Sequence, residues 1–285
     1  MTRSSVRRAA LAFAVATALT GVAACTSTAD PDTGGGTAHQ ARAMSALRSA
    51  ERSTHQARSV RVRSTTALGS LMSTEAEGTL GWTDGLTGTL TITYTGGSTA
   101  DLMRRLDSTS LETRYLRDAY YAKVGPAFAR QLGGKHWIKY PYDYLATLGG
   151  GSGAMMTDLM RNTTPNQSVR LLLASGDVRR TGEEQVSGVH TTHYSGTVSV
   201  SDLSGESELR DQLTQAGVGT ETVDIWVDDK DLLVKKIEKA ATANGAMTQT
   251  AYYSDYGVKV TAERPPAGDT EDFRTLLKKQ GGTAS

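Results

Sequence analysis

The sequence contains a single cysteine, Cys25, among 285 residues. One cysteine cannot form an internal disulfide, and an unused thiol is a liability on an exported protein. The chain also lacks an excess of one charge, because 31 basic residues face 30 acidic residues. This balance gives no electrostatic footprint for nucleic acid, so we expect no nucleic-acid partner.

Long apolar runs are also missing. The longest stretch, Ala9 to about Leu19, is shorter than the roughly 20 residues that a membrane-spanning helix needs. It follows arginines at positions 3, 7 and 8 and precedes Val22-Ala23-Ala24-Cys25. A basic region, an apolar region and small residues before a cysteine are the order of a lipoprotein signal peptide. The sequence therefore predicts cleavage before Cys25 and acylation of its thiol.

Two other interpretations of this region remain open. Cys25 could follow an ordinary secretory signal or be a free buried thiol. Arg7-Arg8 is also compatible with twin-arginine export, although Ala9-Ala10-Leu11 fits that signal only loosely, so the export route is open. In the favoured interpretation the lipid attaches the protein to the outer face of the cell membrane.

The predicted mature chain divides into a linker and a folded domain. Removal of residues 1–24 removes three arginines and leaves 28 basic against 30 acidic residues. Residues 25–38 are rich in Thr, Ser, Asp, Pro and Gly and predict a flexible lipidated linker. Residues 39–280 are long enough for one large domain with a real core.

Hydrophobic periodicity predicts the class of this domain. Ala43, Leu47 and Ala50 have helical spacing between His39 and Arg58, whereas Val60 and Val62 alternate with arginines as in a strand. About five strands, a helical middle and about five more strands follow one another without regular βαβ alternation. This order predicts an α+β fold with one large antiparallel sheet and helices gathered on one face. A sheet of so many strands is expected to curl.

Three blocks resemble a known family. They are Ala119 to Val124 followed by Lys135 to Ile138, Gly188 to Gly196, and Val223 to Asp229 ending in Leu232 to Lys236. In this order behind a lipobox they are similar to LppX/LprG-type envelope lipoproteins, which share the LolA-like fold. The resemblance spans roughly residues 40–265. It implies a half-barrel sheet wrapped around a helix, with further helices over an apolar cavity that accepts the acyl chains of lipids or glycolipids. It implies carriage, not catalysis.

Candidate ligand-binding residues come from apolar and aromatic groups in the centre of the chain. One short predicted helix is rich in methionine and follows the glycine-rich run from Gly149 to Gly153, which suits a movable lid. Ordinary core packing is the alternative for every member of the set. The predicted ligand-binding residues are Leu102, Met103, Leu106, Met155, Met156, Leu159, Met160, Leu172, Tyr121 and Tyr144.

Signatures of enzymes and metal sites are weak. The run from Gly150 to Ala154 lacks the last glycine of a nucleophile elbow. His190 and His193 are three apart in a predicted strand, where they would point to opposite faces. The aspartates at 228, 229 and 231 fit a strand turn better than a calcium loop. We therefore predict no catalytic residue, no metal site and no cofactor.

Two functional hypotheses remain at this level. The first is a membrane-anchored protein that binds or carries a hydrophobic ligand, a lipid or glycolipid, in a cavity between sheet and helices. The second is an interaction or sensory lipoprotein that docks to a membrane-protein partner and carries nothing. Polar, arginine-bearing strands favour the second hypothesis.

Overall fold

One twelve-stranded sheet forms the frame of the molecule. The computed structural model describes residues 33–145, 147–148, 164–203, 210–211, 213–214 and 217–281. The strands are β1 (Ser59–Leu68), β2 (Met72–Gly81), β3 (Thr87–Gly96), β4 (Ser110–Tyr115), β5 (Ala119–Lys123), β6 (Trp137–Pro141), β7 (Val178–Val186), β8 (Val189–Ser199), β9 (Thr220–Asp228), β10 (Leu233–Thr242), β11 (Gly245–Ser254) and β12 (Thr270–Asp272).

The strand order is β12-β6-β5-β4-β3-β2-β1-β11-β10-β9-β8-β7. Strands that are consecutive in the sequence pair with each other from β1 to β6 and from β7 to β11. The two series join where β11 pairs with β1. All pairs are antiparallel except β12 with β6, which is parallel. The sheet stays open, with β12 and β7 at its edges. The predicted α+β class and large antiparallel sheet are confirmed.

Six α-helices lie wholly within the described ranges. They are α1 (Thr33–Gln56), α2 (Gly97–Arg105), α3 (Pro126–Gln131), α4 (Tyr142–Leu145), α5 (Asn166–Ser175) and α6 (Phe273–Gly281). Helix α1 begins six residues before the predicted start at His39 and includes the three glycines assigned to the linker. Glycine lowers helix propensity by about 1 kcal/mol but does not block the backbone as proline does, and no proline follows Pro31 until Pro126.

Helices α1 and α5 pack on the concave face of the sheet and form the main core with it. Ala43, Leu47 and Ala50 are buried at 3%, 0% and 0% exposure, as their helical spacing predicts. Leu172 of α5 lies in the same cluster. A Cβ at Gly196 of β8 would come within 2.9 Å of the Leu172 side chain and 2.3 Å of the Asp177 carbonyl oxygen. Glycine there allows α5 to lie directly on the sheet.

The segment from Gly257 to Pro266 crosses the outer face of the sheet and returns the chain to its far edge. The Ser59 and Thr89 hydroxyls donate to the carbonyls of Val258 and Thr261. Arg264 then forms a two-pronged ion pair with Asp118. This crossing, called the strap below, brings β12 beside β6.

The strap, β12 and α6 have no counterpart in the periodicity analysis. Strand β12 has only three residues and α6 only nine, so neither presents a long pattern. Their anchors are specific instead: Glu271, buried at 4% exposure, accepts hydrogen bonds from Lys135 and Lys279. Over the described ranges no helix is both long and apolar enough to cross a membrane.

Candidate functional site on the concave face

Two rows of side chains on β1, β2 and β3 face the concave side without being fully buried. Strand pairing places Ser64, Ala76 and Ile92 directly opposite one another in one row, and Thr66, Thr74 and Tyr94 in the next. We call these six residues the inner rows. All six are partly exposed, whereas Val62 and Leu90, further along the same face, are buried at 5% and 4%.

Burial thus changes along the same three strands. Residues near Val60 lie in the core beneath α1, and Ile92 packs against that core from its margin. Alternate side chains of a strand face the same side, so the inner rows continue the inward face beyond the part that is buried. They form a surface of mixed apolar and hydroxyl character. Such a surface can contact an apolar chain and still offer hydrogen bonds to a polar group.

A cluster of aromatic rings forms one side of this concave face. Tyr115 and Tyr120 meet edge to face at 5.1 Å between ring centroids, Tyr120 and Tyr140 lie 5.8 Å apart, and Phe273 lies 4.8 Å from Tyr140. Burial raises the pKa values of the Tyr115, Tyr120 and Tyr140 hydroxyls, and the neighbouring Tyr94 hydroxyl raises them further. The hydroxyls therefore stay protonated and can donate hydrogen bonds at neutral pH.

The opposite side of the concave face carries a buried ion pair. Lys236 Nζ lies 2.8 Å from Glu238 Oε2, and both residues are almost fully buried at 4% and 7% exposure. The Ser168 hydroxyl of α5 donates to the other carboxylate oxygen of Glu238. On the adjacent strand β11, Gln249 lies directly opposite Glu238, and its amide donates to the Thr66 hydroxyl of the inner rows at 3.4 Å. Polar groups thus continue across the sheet from the inner rows to the ion pair.

Sequence alternation does not predict this ion pair, because a β-bulge changes which residues of β10 face inward. Strict alternation from Leu233 would turn Lys235 and Ile237 inward, but the register shifts between Leu233 and Lys235. The shift turns Lys236 and Glu238 inward. The residue types that follow Leu233 do not predict such a shift, because a lysine faces inward in either register.

The structure distributes the predicted ligand-binding residues over several places. Leu102 is 49% exposed on α2, and Met103 and Leu106 beside it are half-buried. Leu172 is fully buried in the core under α5. The four residues Met155, Met156, Leu159 and Met160 lie outside the described residues, as does Cys25.

The two predicted tyrosines lie apart from the inner rows. Tyr121 packs with Ala119 and Trp137, and its hydroxyl accepts a hydrogen bond from Arg264 of the strap. Its neighbour Tyr120 faces the core, so the period of two sends Tyr121 to the outer face. Tyr144 lies under the Arg274 guanidinium, 5.5 Å from its ring. Tyr94, which the sequence analysis did not select, faces the concave side instead.

Histidines and acids form pairs in this structure. His193 Nε2 lies 2.9 Å from Asp224 Oδ1, and His190 Nδ1 lies 3.1 Å from Asp229 Oδ1. In the part of the chain that the structure describes, no three His, Cys, Asp or Glu side chains come together in a group suited to a metal ion.

Comparison with solved structures identifies the class of fold. The crystal structure of the Mycobacterium tuberculosis lipoprotein LppX matches 78% of this chain and 99% of its own, with a TM-score of 0.51 and 15% sequence identity. The curled open sheet with helices on its concave face is therefore the LolA-like fold of the LppX type. The fold that the sequence blocks implied is confirmed.

Sequence comparison identifies the family. The chain is 52% identical to the "Putative lipoprotein SCO4650" of Streptomyces coelicolor over 99% of this chain and 100% of that protein. It is 48% identical to an uncharacterised 31.2 kDa protein of Streptomyces griseus over 86% of this chain and 83% of that one. Lipoprotein LprA of M. tuberculosis is 32% identical over 40% of this chain and 46% of its own. No family model matches the chain. The chain belongs to the family of the S. coelicolor protein. That protein, LprA and LppX are named as lipoproteins.

Proposed function

We propose that this protein is an envelope lipoprotein that holds a hydrophobic or amphipathic ligand, a lipid or glycolipid, against the inner rows. The observation that carries the proposal is the partial exposure of six inward-facing side chains on a sheet whose remaining inward side chains are largely buried. Inward side chains that the fold does not bury itself are available to a ligand, and ligand sites combine apolar walls with a few polar groups.

The chemistry of the concave face suits a ligand with two parts. Ala76 and Ile92 offer an apolar contact for a hydrocarbon chain, and the neighbouring Thr66, Thr74 and Tyr94 offer hydroxyls. The Lys236–Glu238 pair lies further along the polar side. A polar head group directed toward Thr66 and Gln249 would leave the acyl chain over Ile92.

Residues on α2 extend this proposal to the edge of the concave face. Helix α2 begins at Gly97, three residues after the inner-row residue Tyr94, and packs against β2 and β3. Leu102, Met103 and Leu106 would then contact the ligand where it enters. Substitution of Leu102 by Gln should lower acyl-chain uptake without lowering the free energy of unfolding, because Leu102 is largely exposed.

The proposed membrane attachment rests on the lipobox. Acylated Cys25 would tether the domain to the extracytoplasmic face of the membrane and keep the concave face close to the bilayer. Intact-mass spectrometry of membrane-extracted protein should show cleavage before Cys25 and added acyl mass. A Cys25→Ala chain should lose both, and equal acyl mass on that variant would contradict the assignment.

Ligand holding is tested by titrating a fluorescent fatty acid, cis-parinaric acid, into the Cys25→Ala protein. Ile92→Asp places a carboxylate on the inner rows and should abolish uptake, because burying a charge against an acyl chain is costly. Thr91→Asp is the matched control, since Thr91 is the adjacent, exposed residue on the outer face of the same strand. Its uptake should equal that of the parent.

A second variant keeps the test valid if Ile92→Asp destabilises the domain. Ala76→Phe adds no charge, suits a strand and fills the space beside Ile92. It should lower uptake while circular dichroism stays unchanged. Uptake that is the same in the parent, Ile92→Asp and Ala76→Phe would contradict the proposed site.

The alternative is an interaction or sensory lipoprotein that docks to a membrane partner. The observation that favours it is the buried Lys236–Glu238 pair, which fills part of the concave face with fixed polar groups rather than open apolar surface. If the Cys25→Ala protein takes up no fatty acid and carries no co-purified lipid, this alternative replaces the first proposal.

A further inference from the structure

A groove of about 420 Å³ lies on the outer face of the sheet, opposite the inner rows. Its floor consists of Arg63 and Thr65 of β1, Tyr252 of β11 and Lys235 of β10, and its wall consists of Glu184 to Ser187 at the end of β7. The volume lies in the range of small-molecule sites, about 300 to 1,000 Å³. Among the described lining residues, only Ser64 also belongs to the inner rows of the proposed lipid site, and none is a predicted ligand-binding residue.

Strand register aligns the floor. Arg63 lies directly opposite Tyr252, which lies directly opposite Lys235, which lies opposite Trp226. Neighbouring strands are about 4.8 Å apart, so the Arg63 and Lys235 backbones are about 10 Å apart with the tyrosine between them. The β-bulge after Leu233 turns Lys235 to this face. Two cations thus flank one aromatic ring.

The wall is held against the floor by packing around Trp226. Val186 of the β7–β8 hairpin packs with Trp226 and Val234, and His193 stacks on the indole at 4.1 Å. The indole Nε1 donates a hydrogen bond to Glu184 Oε1, which directs that carboxylate toward Trp226. Lys235 Nζ lies 4.0 Å from the indole centroid. The groove is therefore formed in advance of binding.

The two cations of the floor are available to a ligand. Neither Arg63 nor Lys235 makes an ion pair with any residue that the structure describes, whereas Arg61 on the same strand face is paired with Asp255 at 2.7 Å. Tyr252 is 37% exposed and presents the only exposed ring of the described lining. Guanidinium and ammonium groups favour carboxylate or phosphate. A flat exposed ring suits the apolar C–H face of a sugar, and Gln185 and Ser187 can hydrogen-bond to hydroxyls.

We propose that this groove binds an anionic sugar unit, a uronate or a sugar phosphate, with its acid group between Arg63 and Lys235 and its ring against Tyr252. A sugar fits better than a peptide because the apolar part of the groove is one flat ring, and Val186, the other apolar lining residue, is buried.

Isothermal titration of the Cys25→Ala protein tests the proposal. The probes are tetragalacturonate and glucose 1-phosphate as anionic sugars, maltotetraose as a neutral sugar and tetraglutamate as an acidic peptide. At least one anionic sugar should bind, and maltotetraose should bind at least about tenfold more weakly because it lacks the charge. Preference for tetragalacturonate identifies a uronate site, and preference for glucose 1-phosphate identifies a phosphate site.

Variants locate the binding. Arg63→Gln, Lys235→Gln and Tyr252→Leu should each weaken binding by about tenfold. Lys259→Gln removes one exposed cation of the strap, outside the groove, and should leave binding unchanged. Arg63→Lys, which keeps the charge but loses the planar fork, should have an intermediate effect and tests Arg63 if Arg63→Gln unfolds.

Three outcomes would overturn the proposal. They are failure of both anionic sugars to bind, equal or tighter binding of tetraglutamate, and a loss in Lys259→Gln equal to that in Lys235→Gln. Fatty-acid uptake is measured separately on the opposite face, so failure of one proposal leaves the other testable.

Discussion

Two adjacent lysines on β10 occupy opposite faces of the sheet and opposite environments. Lys236 is almost fully buried, and its ammonium is paired with Glu238 at 2.8 Å. Lys235 is half-buried, and its ammonium lies 4.0 Å from the Trp226 ring. The inner face therefore fixes its charge in a closed pair, whereas the outer face leaves its charge available beside aromatic rings. The β-bulge after Leu233 decides which lysine takes which role.

The largest loss in the free energy of unfolding is expected when the inner Lys236–Glu238 ion pair is broken. Lys236→Met leaves Glu238 as a buried charge without its lysine, and the loss of one partner of a buried pair costs about 3 to 5 kcal/mol. Urea unfolding should show this loss in the free energy of unfolding. The double variant Lys236→Met/Glu238→Leu should recover most of it, because neither charge remains. A single variant as stable as the parent would contradict the buried pair.

The next effect tests the cover of the concave face by α1. Leu47→Ala removes a fully buried side chain and should cost about 2 to 5 kcal/mol through lost burial and a cavity. Leu102→Ala on the exposed side of α2 is the matched control and should change the free energy of unfolding by less than about 0.5 kcal/mol. Equal effects of the two substitutions would mean that α1 does not pack as described.

A smaller effect tests the outer lysine. Lys235→Met removes a cation over Trp226 and Tyr252 while keeping the length of the side chain. The expected loss is about 0.5 to 1 kcal/mol, the value of a partly exposed cation–aromatic contact. The same urea measurements therefore rank Lys236→Met well above Lys235→Met. A larger loss for Lys235→Met than for Lys236→Met would contradict the burial of Lys236 and the β-bulge that turns it inward.

The smallest effect concerns the docking of β12. Hydrogen bonds from Lys135 and Lys279 lower the pKa of Glu271 below its usual value of 4.5. The charged form is thus favoured in the folded state, so this stabilisation is present above pH 4.5 and is lost as the pH falls through the lower folded pKa. Thermal unfolding between pH 6 and pH 3 should show a shallower fall for Glu271→Gln than for the parent. Parallel curves would contradict the pairing.

The sequence predicts the frame of the molecule well because the frame depends on short-range patterns. Helical spacing of Ala43, Leu47 and Ala50 and alternation around Val60 and Ile92 repeat over several turns or residues. The turn at Ser187-Gly188 is also recognisable, and both residues have positive φ angles of 52° and 81°. These features, together with the three resembling blocks, are sufficient for the fold class.

The candidate site is harder to predict because it depends on register and burial. Tyr120 and Tyr121 are adjacent tyrosines of the same strand, yet only Tyr120 faces the concave side. Tyr94 could have been selected from its alternation with Thr93, which puts it in phase with Ile92. The outer groove joins β1 to β7 across four other strands. No local pattern contains that contact.

Native mass spectrometry of the Cys25→Ala protein, purified from bacterial membranes under gentle conditions, tests the central claim most directly. A bound lipid mass is expected on this protein and on its Thr91→Asp variant, and no bound lipid mass is expected on its Ile92→Asp variant. A parent protein without bound lipid, or an Ile92→Asp protein that retains the same lipid, would contradict ligand holding by the inner rows.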